Sequence, residues 1–396
     1  LLYNIIIDLR ARPPARKRDK KVRNKSVAVL DIRSSEVCAA VGERGVNNTF
    51  IIKSKYSCAY DGYADGELLD VGSFNSAVAE VLKNTIAAAG GGINRFYVGI
   101  PGEFLKTAVT DDTISFAAPQ RIREADVNNV AAMSRPSDGH GFTVIYSSPV
   151  YYVLSDTRRV VSPVGYVSDS LRAKMSWYLC KDSFAECVRL AFKPVCPGVR
   201  LKFIPSPFAE INYLFEPQMR DSYVALLDID YISSTYTVAC GNGIVYSQAF
   251  SVGIGHIAAL MMDELNIPFE VATKFLSRVN LNAKEMLTSV QEIRYNNVNY
   301  SYSTATLRDI IREGLDGICQ MVEECIQTFA EKDMTGRPVY VTGEGLKVIR
   351  GTAEHLSNRL VCSVEAISPR VPYYDKPRFS SLLSLLDAAL GDSSNS

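Results

Sequence analysis

Histidine is scarce in this sequence, three in 396 residues, and its nine cysteines are scattered without one CxxC spacing, so no metal-binding constellation is spelled out. An odd, dispersed cysteine count suits free thiols in a reducing cytosol. A bias of charge is missing as well: 43 Lys and Arg balance 43 Asp and Glu, which gives the chain as a whole no attraction for nucleic acid. A secretory signal is not written either, because the apolar LLYNIIIDL precedes its charges and is too short. What is present is 47% hydrophobic residues over a length that allows two or three domains. Between Arg10 and Lys25 lies a basic arm with nine Lys or Arg and only Asp19 as counter-charge. The arm reads as a solvated tail, or as a segment that touches anionic lipid at roughly 1 kcal/mol per basic residue.

One pattern is written twice. VAVLDIRSSEVCAAVG, from Val27 to Gly42, is a buried-looking strand ending in Asp31, a small polar turn, and a second strand running back. VALLDIDYISSTYTVACG, from Val224 to Gly241, repeats this with Asp228 in the place of Asp31. Such a turn, with Ser34 and Ser35 or Ser233 and Ser234, can aim N–H groups and hydroxyls at an anion. Two facing hairpins could clamp a chain of phosphates while Asp31 and Asp228 hold a hydrated Mg2+, a cation that takes one or two protein oxygens and keeps its waters. Either hairpin alone reads equally as an ordinary Asp and Ser turn. In a third stretch, a short strand from Val339 to Thr342 runs into Gly343-Glu344-Gly345, where glycine lets backbone approach a ligand.

The chain between and after these stretches alternates. Apolar residues at helical spacing from Val71 to Ala89 precede a strand at Phe96 to Ile100, which gives an α/β layer. From Glu103 to Lys181 short aromatic-rich strands surround one helix, Glu124 to Met133. Helices are expected at Asp182–Phe192, Phe208–Phe215, His256–Leu265 and Phe269–Val279, a β-like stretch at Glu292–Tyr302, and a long amphipathic helix at Thr306–Phe329. Gly314 and Gly317 inside it cost about 1 kcal/mol each relative to alanine. The lone His256 reads as a packed or capping residue.

Those three loops, in that order, resemble the two phosphate loops and the adenosine loop of the actin and heat-shock chaperone ATPase superfamily. Within it the chain resembles the bacterial cell-division protein FtsA, over roughly Lys25 to Asp392. The resemblance is carried by LDIRSSEVCAAVGE, FYVGIPG, PVGYVSDSLRAKM, LLDIDYISSTYTVA, SVGIGHI and VYVTGEGL. It implies an actin-like (ribonuclease H-like) α/β fold of two lobes with an inserted α+β subdomain. Residues 1–25 would form the arm, 26–102 and 182–215 the first lobe, 103–181 the FtsA-type insertion, 222–255 and 333–392 the second lobe, and 256–332 a lid. ATP would sit against Ser34, Ser35, Ser233, Ser234, Gly253, Gly343 and Gly345, with Mg2+ held through water by Asp31 and Asp228.

The departures from the family pattern fall on the ligand. Arg33 stands where the first loop has glycine; Asp230, Tyr231 and Ile232 stand where the second has a run of glycines; Glu344 replaces the middle glycine of the third. Ile254 and Gly255 replace glycine and aspartate, Ala272-Thr273 replaces an Ala-Glu pair, and Gly314 and Gly317 replace arginine and glutamate. A carboxylate such as Asp230 at about 4 Å from a phosphate costs on the order of 4 kcal/mol at an effective dielectric of 20, unless Mg2+ or Arg33 offsets it. The expectation is therefore a degenerate ATP site, weak or absent ATPase activity and no assignable catalytic residue.

The function that the resemblance implies is a cytoplasmic cytoskeletal adaptor at the division septum, linking filaments of the tubulin-like FtsZ to other division proteins, with the membrane reached only indirectly or through the basic arm. Self-polymerisation goes with that family. A PilM-like adaptor of a pilus or secretion assembly is the nearest alternative, and an active ATPase or kinase of the same fold is the other.

Overall fold

The computed structural model describes residues 26–45, 49–90, 92–283, 289–329, 334 and 336–394. The basic arm lies outside the described residues. The first copy of the repeated pattern folds as β1 (Val27–Ile32) and β2 (Glu36–Arg44), followed by β3 (Phe50–Ala59), a small hairpin of β4 (Tyr63–Ala64) and β5 (Glu67–Leu68), α1 (Val71–Ala88) and β6 (Arg95–Ile100). Asp70 caps α1 by accepting from the Ser73 amide at 2.8 Å, and Gly90 follows it at φ +76°.

Next come β7 (Leu105–Arg121), α2 (Glu124–Met133), β8 (Phe142–Leu154), β9 (Arg159–Val160) and β10 (Val167–Lys181), which form a separate sheet of order β7-β10-β8-β9. Strand β8 runs unbroken through the aromatic-rich stretch. Pro149, which has no amide to donate, is accommodated by a shift in register, since Lys174 pairs with Tyr151 and Met175 with Pro149. The chain returns through α3 (Asp182–Phe192), β11 (Arg200–Pro205) and α4 (Ser206–Leu214).

The second copy gives β12 (Val224–Ile229), β13 (Ser234–Cys240) and β14 (Gly243–Phe250). Then follow α5 (Ile254–Leu265), α6 (Phe269–Arg278), the hairpin β15 (Val290–Tyr295) and β16 (Val298–Ser303), and α7 (Thr304–Thr328). The chain ends in β17 (Val339–Thr342), α8 (Gly345–Val348), α9 (Thr352–Leu360), β18 (Val364–Ala366) and α10 (Ser380–Ser394).

Two five-stranded sheets result, β11-β6-β1-β2-β3 and β14-β13-β12-β17-β18. Each is an antiparallel three-stranded meander whose first strand also pairs in parallel with a later one. The sequence repeat is thus a repeat of topology.

The central strands are buried on both faces, so their alternation sorts side chains between two layers. Ala28, Leu30 and Ile32 pack with α1 and α3, whereas Val27 and Val29 pack with α10. Ala225, Leu227 and Ile229 face α5, α6 and α7, whereas Val224 and Leu226 meet Phe208, Ile211 and Phe215. Helices α4 and α10 accordingly lie between the two sheets. Asp31 shares its face with Val29, and Asp228 with Leu226, so the strand period aims both carboxylates into the gap between the sheets. Among the described residues no helix is long and apolar enough to cross a membrane.

Candidate functional site

At the carboxyl ends of β1 and β12 the two turns have the same backbone form. The Arg33 amide donates to the Glu36 carbonyl at 2.9 Å, and the Asp230 amide to the Ser233 carbonyl at 3.0 Å. Arg33 and Asp230 therefore occupy equivalent positions, and they face each other: Arg33 Nε donates to Asp230 Oδ2 at 3.1 Å. The rest of the guanidinium is forked onto Asp228, with Nη1 and Nη2 each 3.2 Å from a carboxylate oxygen. The Arg33 carbonyl is itself pinned by the Tyr60 hydroxyl at 2.8 Å.

The backbone groups that a phosphate would use are spent on the opposite hairpin. The Ser34 amide donates to Asp230 Oδ2 at 2.8 Å, and Ser34 Oγ accepts from the Ile232 amide at 2.9 Å. The first amides of α5 turn to the second hairpin too, Ile254 to the Asp230 carbonyl at 3.1 Å and Gly255 to the Tyr231 carbonyl at 2.7 Å. His256 caps this helix, its Nδ1 accepting from the Gly253 amide at 3.2 Å.

Asp31 Oδ1 accepts from Ser381 Oγ at 2.6 Å. The Ser35 carbonyl accepts from the Tyr60 amide. Ser233 is buried beside the cavity described below, and Ser234 Oγ donates away from the gap to the Val252 carbonyl at 2.7 Å. Gly253 packs on the second hairpin so closely that a Cβ would lie 2.5 Å from the Asp230 carbonyl oxygen. Gly343, at φ +100°, leaves no room for a Cβ against the Ile229 carbonyl and the Asp228 carboxylate; at Gly345 a Cβ would meet Ile254 at 2.6 Å. These glycines serve contact between β12, α5 and the third loop. The Tyr231 ring lies against Gly255, where an added Cβ would stand 3.0 Å from it.

Two contributors lay outside the sequence reading. Glu210 of α4 projects into the gap, with Oε1 3.8 Å from Arg33 Nη1. Its only mark in the sequence is a carboxylate inside the apolar run PFAEI. The adjoining serines at the start of α10 staple both sheets, Ser381 to Asp31 and Ser380 Oγ to Thr342 Oγ1 at 2.7 Å.

Burial dominates the electrostatics. It pushes the Asp31 carboxyl up to about 6, with Arg33 and the Ser381 hydroxyl pulling the other way. Burial, and then the charge of Asp228, holds the Glu210 carboxyl well above the usual range. Asp228 is raised by burial against the opposing pull of Arg33.

The space left among Arg33, Ser206, Glu210, Asp228, Asp230 and Ser381 is a cavity of about 30 Å3, with room for water. Glu210 Oε1, Asp230 Oδ1 and Ser206 Oγ have no hydrogen-bond partner there. A magnesium nucleotide does not fit this arrangement: its phosphates would need the amide and hydroxyl of Ser34, and its metal would need the carboxylate that Arg33 holds.

No protein-family model matches the sequence, and no curated protein matches it. The fold does match solved structures. A chain of the PilM-PilN type IV pilus biogenesis complex superposes with a TM-score of 0.62 at 14% identity, covering 92% of this chain and 98% of that one. MreB5 of Spiroplasma citri, bound to ADP, gives 0.55 at 10% identity over 94% and 99%. The MamK double helical filament gives 0.51 at 12% identity over 94% and 99%. The chain has the actin-like ATPase fold.

Proposed function

We propose that this protein is a nucleotide-independent adaptor of a bacterial envelope assembly, built on the actin-like fold and working through docked partners rather than through turnover of ATP. The observation that carries this reading is the Arg33 guanidinium seated between Asp228 and Asp230, where the resemblance calls for Mg2+ and phosphate. Catalysis of phosphoryl transfer needs the phosphates positioned and a water or base oriented, and the side chains that could do either are engaged with one another.

The domain division goes with this reading: 26–102 with 182–215, and 222–255 with 333–392, as the two lobes, 103–181 as the inserted subdomain and 256–332 as the lid. The four-stranded sheet of 103–181 is the surface offered to partners. Of the assemblies that the resemblance implies, a pilus- or secretion-type complex is favoured by the likeness to a chain of the PilM–PilN complex along nearly its whole length. An FtsA-like role at the septum, with an FtsZ-like tubulin homologue as partner, is the second reading, and the likeness to the MamK double helical filament supports self-association within either. A cytoplasmic position beside the membrane follows from both.

In-cell crosslinking of the tagged full-length protein tests this. The expected partners are a membrane protein of a pilus or secretion machine, or the tubulin homologue, retained when ATP is depleted. Partners captured only in the presence of ATP would contradict the adaptor reading.

A further inference from the structure

We propose that Arg33 and Asp230 form a built-in replacement for the metal–phosphate unit, a ligand carried by the protein's own two turns that keeps the hairpins clasped at all times. This deepens the reading above and rests on it in one respect, that the gap is not cleared for nucleotide.

Each partner takes one half of the missing ligand. Asp230 supplies the anion: its Oδ2 receives the Ser34 amide at 2.8 Å, the kind of N–H that the first turn would turn to a phosphate. Arg33 supplies the cation: its fork sits on the Asp228 carboxylate at 3.2 Å, where a metal would sit, in the two-pronged geometry that suits guanidinium and carboxylate. The Nε bond of 3.1 Å then joins anion to cation. Because the residues are equivalent positions of the two turns, each hairpin delivers its half into the other, and the direct bond from the Ile232 amide to Ser34 Oγ closes the clasp.

Both residues are buried, Arg33 at 8% and Asp230 at 5% exposure. Without Arg33 the Asp230 carboxylate would face Asp228 with no cation between them, and without Asp230 the Arg33 fork would keep Asp228 but the Ser34 amide would lose its acceptor, so each substitution is supported by the other. Two losses of glycine that look like independent decay in the sequence are one reciprocal change.

The experiment is a double-mutant cycle on the full chain, Arg33→Gly, Asp230→Gly and the pair together, with the charge exchange Arg33→Asp/Asp230→Arg as a second double variant, read by urea unfolding. Each single glycine variant is expected to raise the unfolding equilibrium constant about 100-fold or more, and the glycine double by no more than the worse single. The exchanged pair is expected to be more stable than Arg33→Asp alone, which adds a carboxylate to those of Asp228, Asp230 and Glu210. Strictly additive effects of the singles would overturn the replacement while leaving the adaptor reading intact; failure to capture partners would do the reverse. Where a variant does not fold, amide exchange on the wild type decides: the Ser34 and Ile232 amides are expected to be protected equally without nucleotide and with millimolar Mg-ATP, and protection that appears only with nucleotide would overturn the proposal.

Discussion

Asp31 shows how one buried carboxyl ties the strand end to helix α10 and makes stability depend on pH. Its folded value of about 6 lies above the ordinary 3.8. The folded chain thus keeps a proton that the unfolded chain has released, and the contribution to stability present below pH 4 is lost as pH rises to about 6. The size is at most about 3 kcal/mol, taking 1.36 kcal/mol per unit. Urea unfolding between pH 4 and 7.5 should show this fall, and Asp31→Asn should make the slope shallower by about one proton. Arg33→Met tests the opposite case, a charge whose removal strands its partners. Asp228 and Asp230 would be left facing each other across the gap, at a cost of about 3–5 kcal/mol in denaturant unfolding. At this scale the sequence shows that Arg33, Asp230 and Glu344 are not the expected glycines. It cannot show that two of them meet, because their contact spans 197 positions and depends on the register of two separate turns.

Helix α7 shows that two identical residues in one element can have opposite meanings. Gly314 lies against α5, where a Cβ would stand 2.8 Å from Cγ1 of Ile257 and 3.0 Å from Cγ2. Gly317 is exposed with nothing within 4 Å of an added Cβ. Gly314→Ala is therefore expected to destabilise by about 1–3 kcal/mol through overpacking, and Gly317→Ala to stabilise by up to about 1 kcal/mol through helix propensity. Thermal unfolding of the two variants should move in opposite directions. The periodic stripe that places α7 is plain in the sequence, as are α2 and α3, which match their expected bounds. Strands β11, β14 and β18 are not, since six, eight and three residues with mixed burial carry no clean alternation. They are strands because a neighbour already formed offers its edge.

The whole molecule is organised by the duplicated meander, and that much is written in the sequence: two strand–Asp–turn–strand units become the cores of two sheets of the same order. What the duplication does at the gap is set by packing. The strand period brings Asp31 and Asp228 to a common space, α10 ties Asp31 and Thr342 together from one side, and the paired turns close the other. The gap between the sheets is then held by the protein's own charges. Equilibrium titration of the wild-type protein with a fluorescent ATP analogue, with and without Mg2+, tests this claim most directly. No saturable binding is expected up to millimolar nucleotide under either condition, and micromolar, Mg2+-dependent binding would overturn it.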